Sequence, residues 1–418
     1  MGDTPHIVIL GGGFGGLKVA KGLKRAKARV TVIDRFNHHL FQPLLYQVAT
    51  AGLSPADIAY PIRSIFKHQA NTEVLLMEVT GIDAQKKIVL GNRSSIAFDF
   101  CVVATGAEYN YFGHENWRQA PSLKTISDAT HIRQKILLAF EEAEMEADEK
   151  KRAALLNFVL VGGGPTGVEM AGAISELAHT ALASDFRRID PKAARIILIE
   201  AGDRVLPSFA PHLSEKARIF LERMGVEVMM GARVEDITEF GVTVSGHLIP
   251  SKNVIWAAGV KATPVGKWLG VETDRSGRVP VNPDLSVRGN PQIFVIGDAA
   301  CVSDKNGKPL PGIAPVAMQE GDYVANLLSR KVSGAAVETS PFRYRDKGNL
   351  ATVGRAFAVA DFKRLKISGF FAWCVWLVVH IFYLIGFRNR LLVLTEWFWS
   401  YITFHRGARL ITDSASEP

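Results

Sequence analysis

Cysteine is nearly absent. The 418 residues hold three, Cys101, Cys301 and Cys374, far apart and without any C-x-x-C spacing. That excludes a disulfide framework and a structural zinc site, and it points to a reducing compartment. No metal site is expected. Also missing are the zinc and stacking-aromatic motifs of nucleic-acid modules, so the location of the charge must explain the formal net charge of +8. The chain enters an apolar strand within a few residues of Met1, so no signal peptide is expected. Charge itself vanishes from one stretch: residues 369–387, GFFAWCVWLVVHIFYLIGF, contain no Asp, Glu, Lys or Arg.

Glycine, by contrast, is plentiful at 37 residues, and the excess clusters in two loops. The first follows the strand HIVIL (6–10) and carries Gly11, Gly13 and Gly16 in a G-x-G-x-x-G pattern before an amphipathic helix. The next strand, 28–33, ends at Asp34, 18 positions after Gly16. A dinucleotide-binding βαβ unit needs these parts. One glycine makes the tight turn, the second admits the pyrophosphate, the third allows close helix packing, and the acid accepts from a ribose hydroxyl about 20 residues on.

The second loop repeats the pattern. The stretch 158–170, FVLVGGGPTGVEM, runs from an apolar strand through Gly162, Gly164 and Gly167 into a helix that opens with Glu169. The strand 195–199 then ends at Glu200. A carboxylate there accepts from a free 2′-hydroxyl and repels a 2′-phosphate, which favours NADH over NADPH, although Arg204 stands close by in sequence. Each half also has a small-residue strand end: FDFCVVATG (98–106) closes at Thr105 and Gly106, and NVIWAAG (253–259) closes at Gly259. Small residues there let the backbone pass close under a bound nucleotide. The strand QIFVIGD (292–298) ends at Gly297 and Asp298, a carboxylate placed to receive a ribityl hydroxyl. Cys101 lies in a strand and reads as core. Residues 127–156 read as one charged helix capped by Ser127 or Asp128, with a solvated acidic face.

The last 70 residues change character. Lys363, Arg364 and Lys366 precede the uncharged stretch, Arg388 and Arg390 follow it, and 391–404 is a second aromatic-rich segment closed by Arg406 and Arg409. Tryptophan and tyrosine at this density belong to a membrane interface. A span needs about 20 apolar residues, so 369–387 only just qualifies, and basic clusters on both sides give no orientation bias. Helices lying in the interface are the favoured reading; a single span and a buried dimerisation core are the alternatives.

At the residues GGGFGG (11–16), QPLLYQVAT (42–50), GGGPTGVE (162–169), AAG (257–259), GDAA (297–300) and GFRNRLLVL (386–394), the chain resembles the type II NADH:quinone oxidoreductases, the non-proton-pumping respiratory NADH dehydrogenases. The resemblance covers 5–411. It implies an α/β fold of two Rossmann-like dinucleotide-binding domains, glutathione-reductase-like, plus a C-terminal membrane-anchoring helical segment. FAD would occupy 1–120 with 285–345, NADH would occupy 121–284, and 346–418 would be the anchor. The enzyme would be a homodimer attached monotopically to the cytoplasmic face of the inner membrane, taking a hydride from NADH and reducing a membrane quinone.

The resemblance also implies roles for residues. Pro43 and Ala317 join the FAD contacts. Gln42, Tyr46, Pro315 and Gln319 line the quinone site. The family's Ala-Gln-x-Ala-x-Gln motif appears here as Ala314-Pro315-Val316-Ala317-Met318-Gln319, so proline replaces the first glutamine and removes its donor. Lys347 matches a lysine near flavin and quinone, or is a surface lysine. Glu169, as a helix-start carboxylate, would merely complement the helix dipole; placed near the nicotinamide and flavin, it would relay protons. Two other readings compete. A sulfide:quinone oxidoreductase needs a cysteine pair at the flavin, and a non-catalytic NADH redox sensor needs only the binding loops.

Overall fold

The computed structural model describes residues 4–335, 340–362, 365–403 and 406–411. Lys363 and Arg364 of the first basic cluster and Phe404 at the end of the 391–404 segment lie outside the described residues. The chain divides into two compact units. The first comprises Met1–Leu40, Tyr60–Glu108 and Val260–Lys347; the second comprises Phe41–Ala59, Tyr109–Gly259 and Gly348–Pro418.

The first unit is built on a six-stranded sheet in the order Ser286–Val287, Asn290–Val295, Phe100–Val103, His6–Leu10, Arg29–Asp34, Thr72–Leu76. Its pairings are parallel except at the first edge. All five residues of His6–Leu10 are buried, as a strand covered on both faces requires. Cys101 sits in this core with Val8, Leu10 and Val103, and burial pushes its thiol well above its usual range.

The second unit has a four-stranded parallel sheet in the order Val226–Met230, Arg195–Glu200, Asn157–Val161, Asn253–Trp256. The charged segment before it is two helices, Ile126–Met145 and Glu149–Leu155, where the sequence suggested one. Capping chemistry decides this. Thr125, upstream of the expected caps, accepts from the Asp128 N–H at 3.1 Å while Asp128 accepts from the Thr125 N–H at 2.7 Å. Asp148 then starts a new helix by accepting from the Lys150 and Lys151 N–H groups.

The same unit carries an antiparallel meander, Asn349–Thr352, Ala358–Phe362 and Leu365–Gly369, followed by the helices Phe370–Tyr383 and Phe387–Thr403. The uncharged stretch is therefore not one continuous helix. Gly386 turns the chain at φ 91, and the Arg390 guanidinium caps the first helix by donating to the Leu384 and Phe382 carbonyls at 2.7 and 2.9 Å. Fourteen residues at 1.5 Å each reach about 21 Å, short of the ~30 Å hydrocarbon core. Among the described residues no helix is long and apolar enough to cross a membrane. The buried Trp376, Asn389 and Val393 hold the helix pair to the unit, with Asn389 donating to the Ala56 and Ala59 carbonyls. Phe371, Val378, Phe382, Phe387, Leu391 and Phe398 are left exposed, in the spacing of one apolar stripe along each helix.

Candidate active site

Each parallel sheet ends in the same glycine turn. In the first unit Gly11 has φ 104, and its N–H reaches the Ile33 carbonyl at 2.8 Å. A Cβ on Gly11 would run into Ala104, and one on Gly16 would run into the Gly11 carbonyl oxygen. Around Gly13, which caps the helix Phe14–Gly22, the space is open. Asp34 locks the loop: its carboxylate accepts from the Gly12 N–H at 2.6 Å and the Phe36 N–H at 2.8 Å. Burial is the larger influence on Asp34 and pushes its carboxyl up, against the pull of those two N–H groups.

The second unit repeats this turn. Gly162 has φ 114, its N–H reaches the Ile199 carbonyl at 2.8 Å, and a Cβ on it would meet Ala257 and Ala258 at 2.8 Å. Gly167 presses on the Gly162 carbonyl oxygen, and the space at Gly164 is open. Glu200 accepts from the Gly163 N–H and the Gly202 N–H, both at 2.6 Å. A carboxylate oxygen has two acceptor directions, so these two bonds leave one on each oxygen unused. Open space beside the capping glycine, helix N–H groups behind it and a carboxylate at the strand end fit a bound dinucleotide in both units.

The helix Pro165–Glu176 has no acidic residue in its first turn. Glu169 lies one turn further in than the sequence suggested, so the dipole does not explain it. Surrounding protein pushes its carboxyl up to about 8, against one hydrogen bond from the Thr352 backbone. Tyr46, 7% exposed, has its phenol held well above its usual range by burial, with the Glu169 charge next in size. The helix then passes into a π-helical turn, Leu177–Ala181. Beside it Glu176 accepts from the Arg355 N–H and pairs with Arg406 at 3.1 Å.

The other residues singled out in the sequence are distributed as follows. Gln42, Pro43 and Tyr46 belong to the second unit, with Glu169, Glu200 and Gly259; Pro315, Ala317, Gln319 and Lys347 belong to the first. Gln42 donates to the Lys124 carbonyl at 3.2 Å. Pro43 forms part of the short turn Gln42–Leu44. Thr105 shares a 2.6 Å hydrogen bond with Thr263, whose hydroxyl donates to the Gly106 carbonyl. Gly297 takes φ 69 with Ala317 against it, and Asp298 lies beside Gly312. Gln319 clamps Arg345, donating to its carbonyl and accepting from its N–H, both at 2.9 Å. Lys347 is exposed.

Sequence reasoning passed over Glu320, 1% exposed. Its carboxylate accepts from the Gly297 N–H at 2.5 Å, and burial pushes it up to about 8. The signal was present: Val316, Glu320 and Val324 fall on one buried helical face, where an acid needs a partner. Gln47 and Trp397, joined at 2.7 Å, were also missed. Among the described residues no cluster of His, Cys, Asp or Glu is arranged to hold a metal.

Residues 5–321 match the pyridine nucleotide-disulphide oxidoreductase family, and residues 347–406 match the NDH2 C-terminal domain. The chain is 45% identical to the type II NADH:quinone oxidoreductase Ndh of Mycobacterium tuberculosis, over 98% of this chain and 90% of that one. In fold it is similar to NDH2 from Plasmodium falciparum, solved with NADH, at TM-score 0.88 and 21% identity, covering 98% of this chain and 100% of the other. The sulfide:quinone oxidoreductase of Aquifex aeolicus shares the fold at TM-score 0.72 and 16% identity, covering 92% of each chain.

The two loops make separable predictions. Gly16→Ala should purify with little FAD, read from the flavin-to-protein absorbance ratio. Gly167→Ala should keep its FAD and lose NADH affinity, read by flavin reduction at rising NADH. Full flavin content in Gly16→Ala would contradict the assignment of the first loop.

Proposed function

The chain belongs to the type II NADH:quinone oxidoreductases, and we propose how its residues divide that family's work. It is an FAD-dependent enzyme that oxidises NADH and reduces a quinone without pumping protons. Bound FAD supplies the redox chemistry, accepting a hydride and releasing two electrons. The protein binds, orients and supplies protons.

In this reading the first unit holds FAD. Gly11, Gly13 and Gly16 leave room for the pyrophosphate, and Asp34 offers its outward lone pairs to the ribose. Gly297 and Asp298 serve the ribityl chain, and Glu320 keeps that turn in place by holding the Gly297 N–H. The second unit holds NADH through Gly162, Gly164, Gly167 and Glu200. The carboxylate of Glu200 accepts from the 2′-hydroxyl and repels a 2′-phosphate. Gln42 and Tyr46 contact the quinone head group. The Gln319 amide, clamped on the Arg345 backbone, steadies the segment leading to Lys347.

Glu169 is the proton carrier. Its crowded carboxyl holds a proton at neutral pH because burial raises it to about 8. The observation that carries the reading is this acid, its carboxyl pushed up to about 8, set in the helix that the second glycine loop begins and beside the Tyr46 phenol.

The membrane reading rests on the exposed stripe from Phe371 to Phe398, on the exposed Lys366 before it and on the exposed Arg388 where the second helix begins. Apolar side chains would enter the interface while cations meet anionic headgroups. We place the enzyme monotopically on the cytoplasmic face of the inner membrane, as a homodimer; the dimer rests on the family resemblance.

Two measurements test this. Wild-type turnover should fall as pH rises through about 8, because the Glu169 proton is lost there. Glu169→Gln should be slower by about 100-fold and should lack that descending limb, while NADH still reduces its flavin. A descending limb unchanged in the variant would exclude Glu169. Separately, Phe371→Asp with Phe398→Asp should abolish sedimentation with phosphatidylglycerol vesicles and leave activity towards a soluble quinone analogue intact; undiminished sedimentation would place the membrane face elsewhere.

A further inference from the structure

Trp397 lies on the helix Phe387–Thr403 and turns its indole inward. Its Nε1–H donates to Gln47 Oε1 at 2.7 Å, and Gln47 Nε2 donates to the Tyr46 phenol oxygen at 2.9 Å. An indole nitrogen is a donor only. It therefore decides which end of the Gln47 amide faces it. With the amide reversed, two N–H groups would confront each other, and Gln47 would present its oxygen to the phenol and capture the phenol proton. In the observed order the phenol oxygen accepts from Gln47, and its O–H is left to donate. Among the described residues no oxygen accepts that proton.

The surroundings hold this arrangement. Tyr46 is 7% exposed, and its backbone carbonyl accepts from the Thr50 hydroxyl at 2.9 Å. The charged groups that bear on the phenol are Glu169, Glu176 and Arg406, and Arg406 is itself tied to the Thr50 carbonyl and to Glu176. The Trp397 ring packs on the buried Trp376 at 5.3 Å. The helix that seats the indole is also the one whose outer face carries Leu391 and Phe398.

We propose that Trp397 is a positioning residue for quinone binding: through Gln47 it fixes the Tyr46 hydroxyl as a hydrogen-bond donor to a carbonyl oxygen of the bound quinone. The proposal rests on Tyr46 contacting the quinone. It makes the seating of the C-terminal helix a condition for gripping the acceptor, while reduction by NADH is indifferent to it.

The test uses the full-length, flavin-loaded enzyme and a short-chain ubiquinone analogue. Trp397→Phe keeps an aromatic ring against Trp376 and removes the N–H. Gln47→Glu leaves only acceptors, so it captures the Tyr46 proton. Tyr46→Phe removes the hydroxyl. Each should raise the KM for quinone about tenfold, leaving the KM for NADH and anaerobic flavin reduction within about twofold. The Trp397→Phe/Tyr46→Phe double variant should be no worse than Tyr46→Phe alone, because both act through one hydroxyl. If Tyr46→Phe weakens quinone binding but Trp397→Phe and Gln47→Glu do not, or if the double variant is additive, the positioning role is wrong. If Tyr46→Phe itself leaves the quinone KM unchanged, the contact and the proposal built on it both fall.

Discussion

A carbonyl oxygen pressed against an α-carbon fixes each glycine loop. The Gly11 oxygen lies where a side chain on residue 16 would be, and the Gly162 oxygen lies where one on residue 167 would be. Only glycine fits, so the helix can begin close enough to its strand for its first N–H groups to face a phosphate. The carboxylates complete the constraint. Asp34 and Glu200 each hold two backbone N–H groups, so the loop is shaped before any ligand arrives. Preorganisation of this kind lowers the ordering cost of binding.

From this constraint follows the placement of the chemistry. The strand and glycine turn that would cradle NADH also begin the helix that carries Glu169, so the acid's position is fixed by the same residues that would hold the substrate. That helix packs near Leu45–Ala49, which supplies Tyr46, and Gln47 on the same turn is bonded to the C-terminal helix. One side of the C-terminal helix pair is buried and hydrogen-bonded, and the other presents apolar side chains outward. A pair of short helices suits this double task better than a span, since a span surrounded by lipid would have no face to give to the protein.

Local features were legible in the sequence. Both glycine loops, Asp34, Glu200 and the strand ends at Thr105, Gly106 and Gly259 depend on neighbours within one βαβ unit, and their spacing records that. Helix boundaries were less legible, because Thr125 and Asp148 compete with better-looking neighbours and only geometry shows which hydroxyl or carboxylate meets an N–H. The end of the first C-terminal helix was not legible for a similar reason: Arg390, several residues downstream, caps it. Contacts between distant residues were not legible at all. Gln47 and Trp397 are 350 residues apart, and neither belongs to a motif of its own. Glu320 stood in plain view beside Gln319, but burial, which gives it meaning, is a property of the folded helix. The competing readings lose support: the chain is 45% identical over 98% of its length to a type II NADH:quinone oxidoreductase, and Cys101 is locked in the sheet core.

One chain takes electrons from NADH on FAD and gives them to quinone. Anaerobic titration of the purified protein, followed by flavin absorbance, tests it directly. NADH should bleach the flavin stoichiometrically, a quinone analogue should restore the colour, and sulfide in place of NADH should do nothing. A protein that carries no flavin, or a reduced flavin that quinone fails to reoxidise, would contradict the account.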